Sequence, residues 1–237
     1  MATLFIVATP IGNLKDISLR ALEVLKEVDL ILCEDTRVTQ KLLNRYGIKT
    51  PTLSYHQHSK LKKIDYILDL LKQGKNLALV SDAGTPGISD PGNKLINKIA
   101  EFAGVEPLQI KIVPIPGPSA VTTAASISGF PMDRFLFLGF PPAKKKRKRF
   151  FEELSRQLAE LKCPVIFYES PYRILKTLNE LNSLYTKYNI QNTDIVVCRE
   201  LTKKFETIYR GKIEKVIKEI EKDKIKGEFV VIVEGKH

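Results

Sequence analysis

Short apolar runs alternate with amphipathic stretches along the first half of the chain. Leu4–Ala8, Leu30–Cys33, Leu77–Val80 and Ile110–Ile115 have strand length and end at turn residues. Between them, Ser18–Val28, Thr36–Tyr46, Lys60–Lys72 and Asn93–Phe102 read as helices. In the third of these, Leu61, Ile64, Ile67, Leu68 and Leu71 make one stripe for burial. Strand alternating with helix predicts an α/β fold, with a mostly parallel sheet covered on both faces. The second half repeats the theme. Strands are expected at Phe135–Leu138, Pro164–Tyr168, Ile195–Cys198, Glu206–Tyr209 and Glu228–Val233. Helices are marked by Phe151, Leu154, Leu158 and Leu161, by Leu175, Leu178, Leu181 and Leu184, and by Ile213–Ile220. Pro114-Ile115-Pro116-Gly117-Pro118 interrupts both periods and divides the chain into two α/β domains, 1–115 and 116–237. Two such domains side by side create a cleft, the usual place for a small ligand.

Composition narrows the classes. No apolar run approaches the roughly 18 residues of a membrane span, and Met1–Ala8 lacks a basic leader, so it reads as a strand rather than a signal peptide. Cys33, Cys163 and Cys198 each sit in or beside an apolar run, which predicts buried reduced thiols and a cytoplasmic setting rather than disulfides or a thiol nucleophile. The formal net charge of +11 suits a polyanionic partner, though a Lys-rich surface that only maintains solubility has the same composition.

Several loops carry candidate chemistry. Thr9-Pro10-Ile11-Gly12-Asn13 follows a strand and opens a helix, a ligand-facing position in open α/β sheets. Glu34 and Asp35 stand where a dinucleotide fold places its ribose-binding acid, but the glycine fingerprint is missing and a nicotinamide enzyme is disfavoured. Ser81–Gly92 is rich in glycine and proline and has no Gly-Lys-Ser/Thr, which excludes a nucleoside triphosphate cradle. Aligned as a dehalogenase-type phosphatase, it would need acids where Ser81 and Ala83 stand. Ser119, after Pro116-Gly117-Pro118, either caps the next helix or holds a ligand edge. Glu169 and Arg173, like Arg199-Glu200-Leu201-Thr202-Lys203, end buried strands; each charge either works on a ligand or forms a structural ion pair. Lys144-Lys145-Lys146-Arg147-Lys148-Arg149 opens a helix with the wrong sign for its dipole. Contact with RNA phosphates explains the run better than folding does, with a solvated charge run as the other reading. His56 and His58 have no third metal ligand near them in sequence, and no metal is expected.

Together these segments resemble one family. Leu4–Asp16 (LFIVATPIGNLKD), Glu34-Asp35-Thr36-Arg37, Leu79–Gly92 (LVSDAGTPGISDPG), Pro116–Ser119 (PGPS), Phe167–Arg173 (FYESPYR), Arg199–Lys203 (RELTK) and Gly227–Gly235 (GEFVVIVEG) carry the likeness, in order and over nearly the whole chain. They are similar to the bacterial 16S ribosomal RNA 2′-O-ribose cytidine methyltransferases, in the tetrapyrrole methylase fold group. The resemblance implies two α/β domains with S-adenosylmethionine bound in the cleft between them, 16S rRNA or the small ribosomal subunit as partner, and a homodimer. It further implies that Pro10, Gly12, Asp82, Ala83, Gly84, Thr85, Gly117, Pro118, Ser119 and Ala120 contact the cofactor, with Phe167, Tyr168 and Leu201 flanking its adenine. Glu34, Asp35 and Glu169 are then unranked candidates for the general base, and Arg37, Arg173 and Lys203 for orienting phosphate or stabilising an oxyanion. Longer members of that family continue with a helical segment beyond the position of Gly235. Any contribution of that segment to RNA docking would here be absent or supplied elsewhere, for instance by Lys144–Arg149. The competing readings are a fold-group enzyme acting on a tetrapyrrole or a protein side chain, and a non-catalytic RNA-binding protein.

Overall fold

The computed structural model describes residues 2–56, 61–103, 110–187 and 193–235. The chain forms two compact units, Met1–Ser119 and Ala120–His237.

The first unit begins with β1 (Ala2–Val7), α1 (Leu19–Glu27), β2 (Leu30–Cys33), α2 (Thr36–Arg45) and β3 (Thr52–Ser54). It continues with α3 (Leu61–Lys72), β4 (Leu77–Leu79), α4 (Asn93–Ala103) and β5 (Ile110–Ile115). Its sheet has the order β3-β2-β4-β1-β5, and every pairing is parallel. Alternate strand residues feed two cores. Val7, Ile31, Cys33, Ala78, Val80 and Ile115 pack under α1 and α2, against Ala21, Val24, Leu25, Leu42 and Leu43. Leu4, Leu32, Leu77, Leu79 and Ile110 pack under α3 and α4, against Ile64, Ile67, Leu68, Leu71, Leu95 and Ile99. Each fully buried Leu or Ile contributes roughly 1.5–3 kcal/mol. Local signals set the helix ends. The Ser18 hydroxyl accepts from the Ala21 N–H at 3.1 Å to start α1, and the Asp35 carboxylate accepts from the Arg37 N–H at 2.8 Å to start α2.

The second unit runs α5 (Ala120–Ser128), β6 (Leu136–Phe137), α6 (Arg147–Leu161), β7 (Val165–Glu169) and α7 (Ile174–Lys187). Then follow β8 (Asp194–Arg199), β9 (Thr207–Lys212), α8 (Ile213–Lys222) and β10 (Phe229–Val233). The sheet order is β6-β7-β10-β8-β9. Only β6 and β7 pair in parallel; β10 runs antiparallel to both neighbours, and β8 and β9 form an antiparallel hairpin. This mixed sheet does not repeat the first one. Residues 200–206 are too few for the dozen or more that a parallel crossover needs, so β9 must turn back along β8. One face of the sheet packs on α6, α7 and α8 through Phe151, Leu154, Phe167, Leu178, Val197, Val216 and Val231. Helix α5 lies by β7 and β10.

Among the described residues, no helix is long and apolar enough to cross a membrane. The three cysteines are buried and unbridged. Burial raises the Cys33 thiol and pushes Cys198 up to about 11, so neither is poised as a nucleophile.

Candidate functional site

In the first unit all strands deliver their carboxyl ends to one edge, where the loops after β1, β4 and β5 become neighbours. These loops are stitched together. Thr9 and Gly84 exchange two backbone hydrogen bonds, of 2.9 and 3.0 Å, in an isolated antiparallel bridge. The buried Thr9 hydroxyl donates to the Ser81 carbonyl at 3.1 Å, and the buried Ser81 hydroxyl donates to the Gly84 carbonyl at 3.2 Å. The Ala8 N–H donates to the Ile115 carbonyl at 3.2 Å, and the Thr85 hydroxyl donates to the Pro118 carbonyl at 3.2 Å. Two glycines are required here. Gly84 has φ +85°, and a Cβ on Gly117 would lie 3.1 Å from the Ala8 Cβ. Thr9 and Ser81 do the stitching; hydroxyls at strand ends are common in any sequence, and only the pairing shows their purpose.

The structure therefore brings Pro10, Gly12, Asp82, Ala83, Gly84, Thr85, Gly117, Pro118 and Ser119 to one sheet edge. Glu34 and Asp35 close the same edge after β2, where the Asp35 N–H donates to an Asp82 carboxylate oxygen at 3.0 Å. The two acids differ. Asp35 caps α2 and holds the Arg37 guanidinium through both carboxylate oxygens, the shortest contact being 2.6 Å. Hydrogen bonds from Arg37 hold its carboxyl at about 2, which makes it a feeble base. The Glu34 carboxyl is raised by burial first and by the Asp82 carboxylate second, with His56 acting the other way. That is the direction a proton acceptor needs. His56 is exposed, and His58 lies outside the described residues.

The remaining candidates belong to the second unit. Ala120 opens α5. Phe167 is fully buried in the core under α6 and α7, whereas Tyr168, its neighbour on β7, faces the other way and touches the rings of Phe137 and Phe140. Successive strand residues point to opposite faces, so the two rings cannot flank one ligand together. Leu201 is buried. The Lys203 ammonium sits 2.9 Å from both Glu200 and Glu228; burial alone would lower its pKa, but these carboxylates raise it.

The Glu169 side chain is wholly buried and saturated. One oxygen accepts from Arg173 at 2.8 Å and from the Ser170 N–H at 2.8 Å. The other accepts from the Thr177 hydroxyl at 2.5 Å and lies 3.6 Å from Arg147. Arg147 is buried too. It also donates to Glu180 at 2.8 Å, Thr177 at 2.6 Å and the Pro142 carbonyl at 3.2 Å, and stacks over the Phe151 ring. It is thus withdrawn from the cationic run, leaving Lys144, Lys145, Lys146, Lys148 and Arg149 exposed.

A family model described as tetrapyrrole (corrin/porphyrin) methylases matches residues 3–217. The chain belongs to the tetrapyrrole methylase family. Membership of this methylase family implies S-adenosylmethionine as the methyl donor. Within the family, the chain is 45% identical over 236 residues to ribosomal RNA small subunit methyltransferase I of Thermotoga maritima, covering 100% of both chains. The Haemophilus influenzae protein of that name is 46% identical over 98% of this chain and 78% of its own length. The Bacillus subtilis protein is 43% identical over 99% and 76%. Two solved structures share the fold. A cobalt precorrin-4 methyltransferase has a TM-score of 0.66 at 18% identity, covering 98% of this chain and 94% of its own. The uroporphyrin-III-C-methyltransferase of Thermus thermophilus has 0.62 at 14% identity, with the same coverage.

Proposed function

We propose that this tetrapyrrole methylase family member transfers a methyl group from S-adenosylmethionine to the ribose 2′-oxygen of a cytidine in small-subunit ribosomal RNA. The observation that carries the methyl-transfer part is the edge where the glycine-bearing loops meet carboxylates from β2 and β4. A donor without phosphate needs no Gly-Lys-Ser/Thr cradle, and the loops have none. A cationic sulfur favours nearby carboxylates, and Glu34 and Asp82 lie close enough for one to raise the pKa of the other. The residues present therefore fit this donor. Gly12, Asp82, Ala83, Gly84, Thr85 and Gly117 would hold it, the glycines by letting backbone approach closely. The relatives named for ribosomal RNA, at 43–46% identity, support that substrate over a tetrapyrrole or a protein side chain.

When bound, the donor supplies an electrophilic methyl on a positively charged sulfur. The protein's share is placement and proton handling. Holding the two reacting atoms in line at attack distance accounts for several kcal/mol of barrier lowering. Glu34 is the proton acceptor for the 2′-hydroxyl, because Asp35 is committed to α2 and Arg37 and Glu169 is saturated inside the second unit. The exposed cations Lys144–Lys146, Lys148 and Arg149 hold RNA phosphates. The buried free thiols fit a cytoplasmic setting, and a homodimer is part of this proposal.

The test is incubation of unmodified small subunits, and of bare rRNA, with labelled donor, followed by mass-spectrometric mapping of the product. A ribose-methylated cytidine is expected. Label on a base, or no transfer to either substrate, overturns the proposal.

A further inference from the structure

We infer that Tyr172 and Phe140 form a stacking platform for unpaired nucleotides, beside the exposed cations at the start of α6; the inference rests on the RNA substrate proposed above. Tyr172 is 96% exposed and Phe140 is 55% exposed. The Tyr172 ring is left in water and Phe140 packs only one side against Tyr168, yet both rings stand on firmly held backbone. The Tyr168 N–H donates to the Gly139 carbonyl at 2.9 Å, which fixes the segment carrying Phe140 to β7. Arg173, next to Tyr172, donates to the Pro141 carbonyl at 3.1 Å and to the Ser170 hydroxyl at 3.2 Å. Arg147 donates to the Pro142 carbonyl at 3.2 Å. Both guanidiniums also face Glu169, so one buried carboxylate ties together the Phe140 segment, the Tyr172 turn and the first residue of α6. Five exposed cations flank that first residue.

The chemistry of this surface selects its partner. Two rings among five like charges make a poor protein interface, whose core is depleted of charge. A second copy of the chain would bring the same cations against them. Single-stranded RNA answers both features at once, with phosphates for the cations and base faces for the rings. A duplex offers the phosphates but hides its base faces in the stack. A ribose in a paired stem must be exposed before its 2′-oxygen is reached, so a platform that holds unpaired bases would favour the reactive conformation.

The experiment measures anisotropy of a short fluorescein-labelled pyrimidine-rich RNA, and of the same strand annealed to its complement, with the full chain. Tyr172→Ala is expected to weaken the single strand about five-fold or more and the duplex less than about two-fold, while Tyr172→Phe binds like the parent. The slope of log affinity against log salt should not change in Tyr172→Ala, since no cation is lost. Tyr66→Ala, removing a 53% exposed ring from α3, is the control and should change neither ligand. Unchanged single-strand binding in Tyr172→Ala, or equal loss on both RNAs, overturns the platform even if methyl transfer proceeds. If the parent chain binds no RNA, the ribosomal substrate fails along with it.

Discussion

Glu169→Gln separates a catalytic carboxylate from a structural one. The side chain has no exposed surface and faces Arg173 on one oxygen, Thr177 on the other, and Arg147 at 3.6 Å. An amide keeps the shape but loses the charge and turns a donor towards one set of donors. Arg147 retains Glu180, whereas Arg173 loses the acid at 2.8 Å. Removing one partner of a buried ion pair costs about 3–5 kcal/mol. Against a domain stability of about 5–15 kcal/mol, the variant should still fold, with much of its margin gone. With a urea dependence near 2 kcal/mol per M, the midpoint should fall by about 1.5–2.5 M. The chain has no tryptophan, so far-ultraviolet circular dichroism is the suitable probe, and the shift belongs to the transition of the second unit. Methyl transfer at low urea should survive in proportion to the folded fraction. A variant with the parental midpoint and no activity would refute this reasoning and return Glu169 to the substrate.

Gly84→Ala forces an alanine to φ +85°, while its Cβ would sit 3.4 Å from the Ile11 side chain, so the cost is mainly conformational, about 1–2 kcal/mol; donor affinity measured by calorimetry should drop, and an unchanged affinity would remove Gly84 from the binding edge. The raised pKa of Glu34 predicts that activity is lost on acidification earlier than an ordinary carboxylate would require, because the protonated form cannot accept a proton. In Asp82→Asn the neighbouring charge is gone, so the acid limb of the kcat profile at saturating donor should move to lower pH; a limb that stays put means another group titrates.

The apolar pattern located most elements closely. Leu30–Cys33 and Ile110–Ile115 coincide with β2 and β5, because β2 is an unbroken apolar run and β5 has a buried isoleucine at each end. Thr52–Ser54 is silent in the sequence, since an edge strand of three half-buried residues has no apolar signature. The direction of β10 was hidden for a different reason: strand patterns record burial, and pairing sense depends on connection length and partner. Arg147 looked like one cation among six, yet it stands four residues before Phe151 and seven before Leu154, on the stripe that α6 buries. Read with that period, the sequence marks it as the inward one. The loops at the first sheet edge are legible from their glycines, but the ordering of Glu34 above Asp35 depends on the burial of Glu34, the Asp82 charge and the Arg37 contact, which spacing does not encode.

The place of β10 between β7 and β8 bears on how the molecule is made. Synthesis of the first sheet is complete with β5, so that unit can assemble while the rest of the polypeptide is still emerging from the ribosome. The second sheet's middle strand is the last of its five to be translated. Until it emerges, β7 and β8 present unsatisfied backbone to any neighbouring strand, which makes this half the one that nascent-chain chaperones would need to shield.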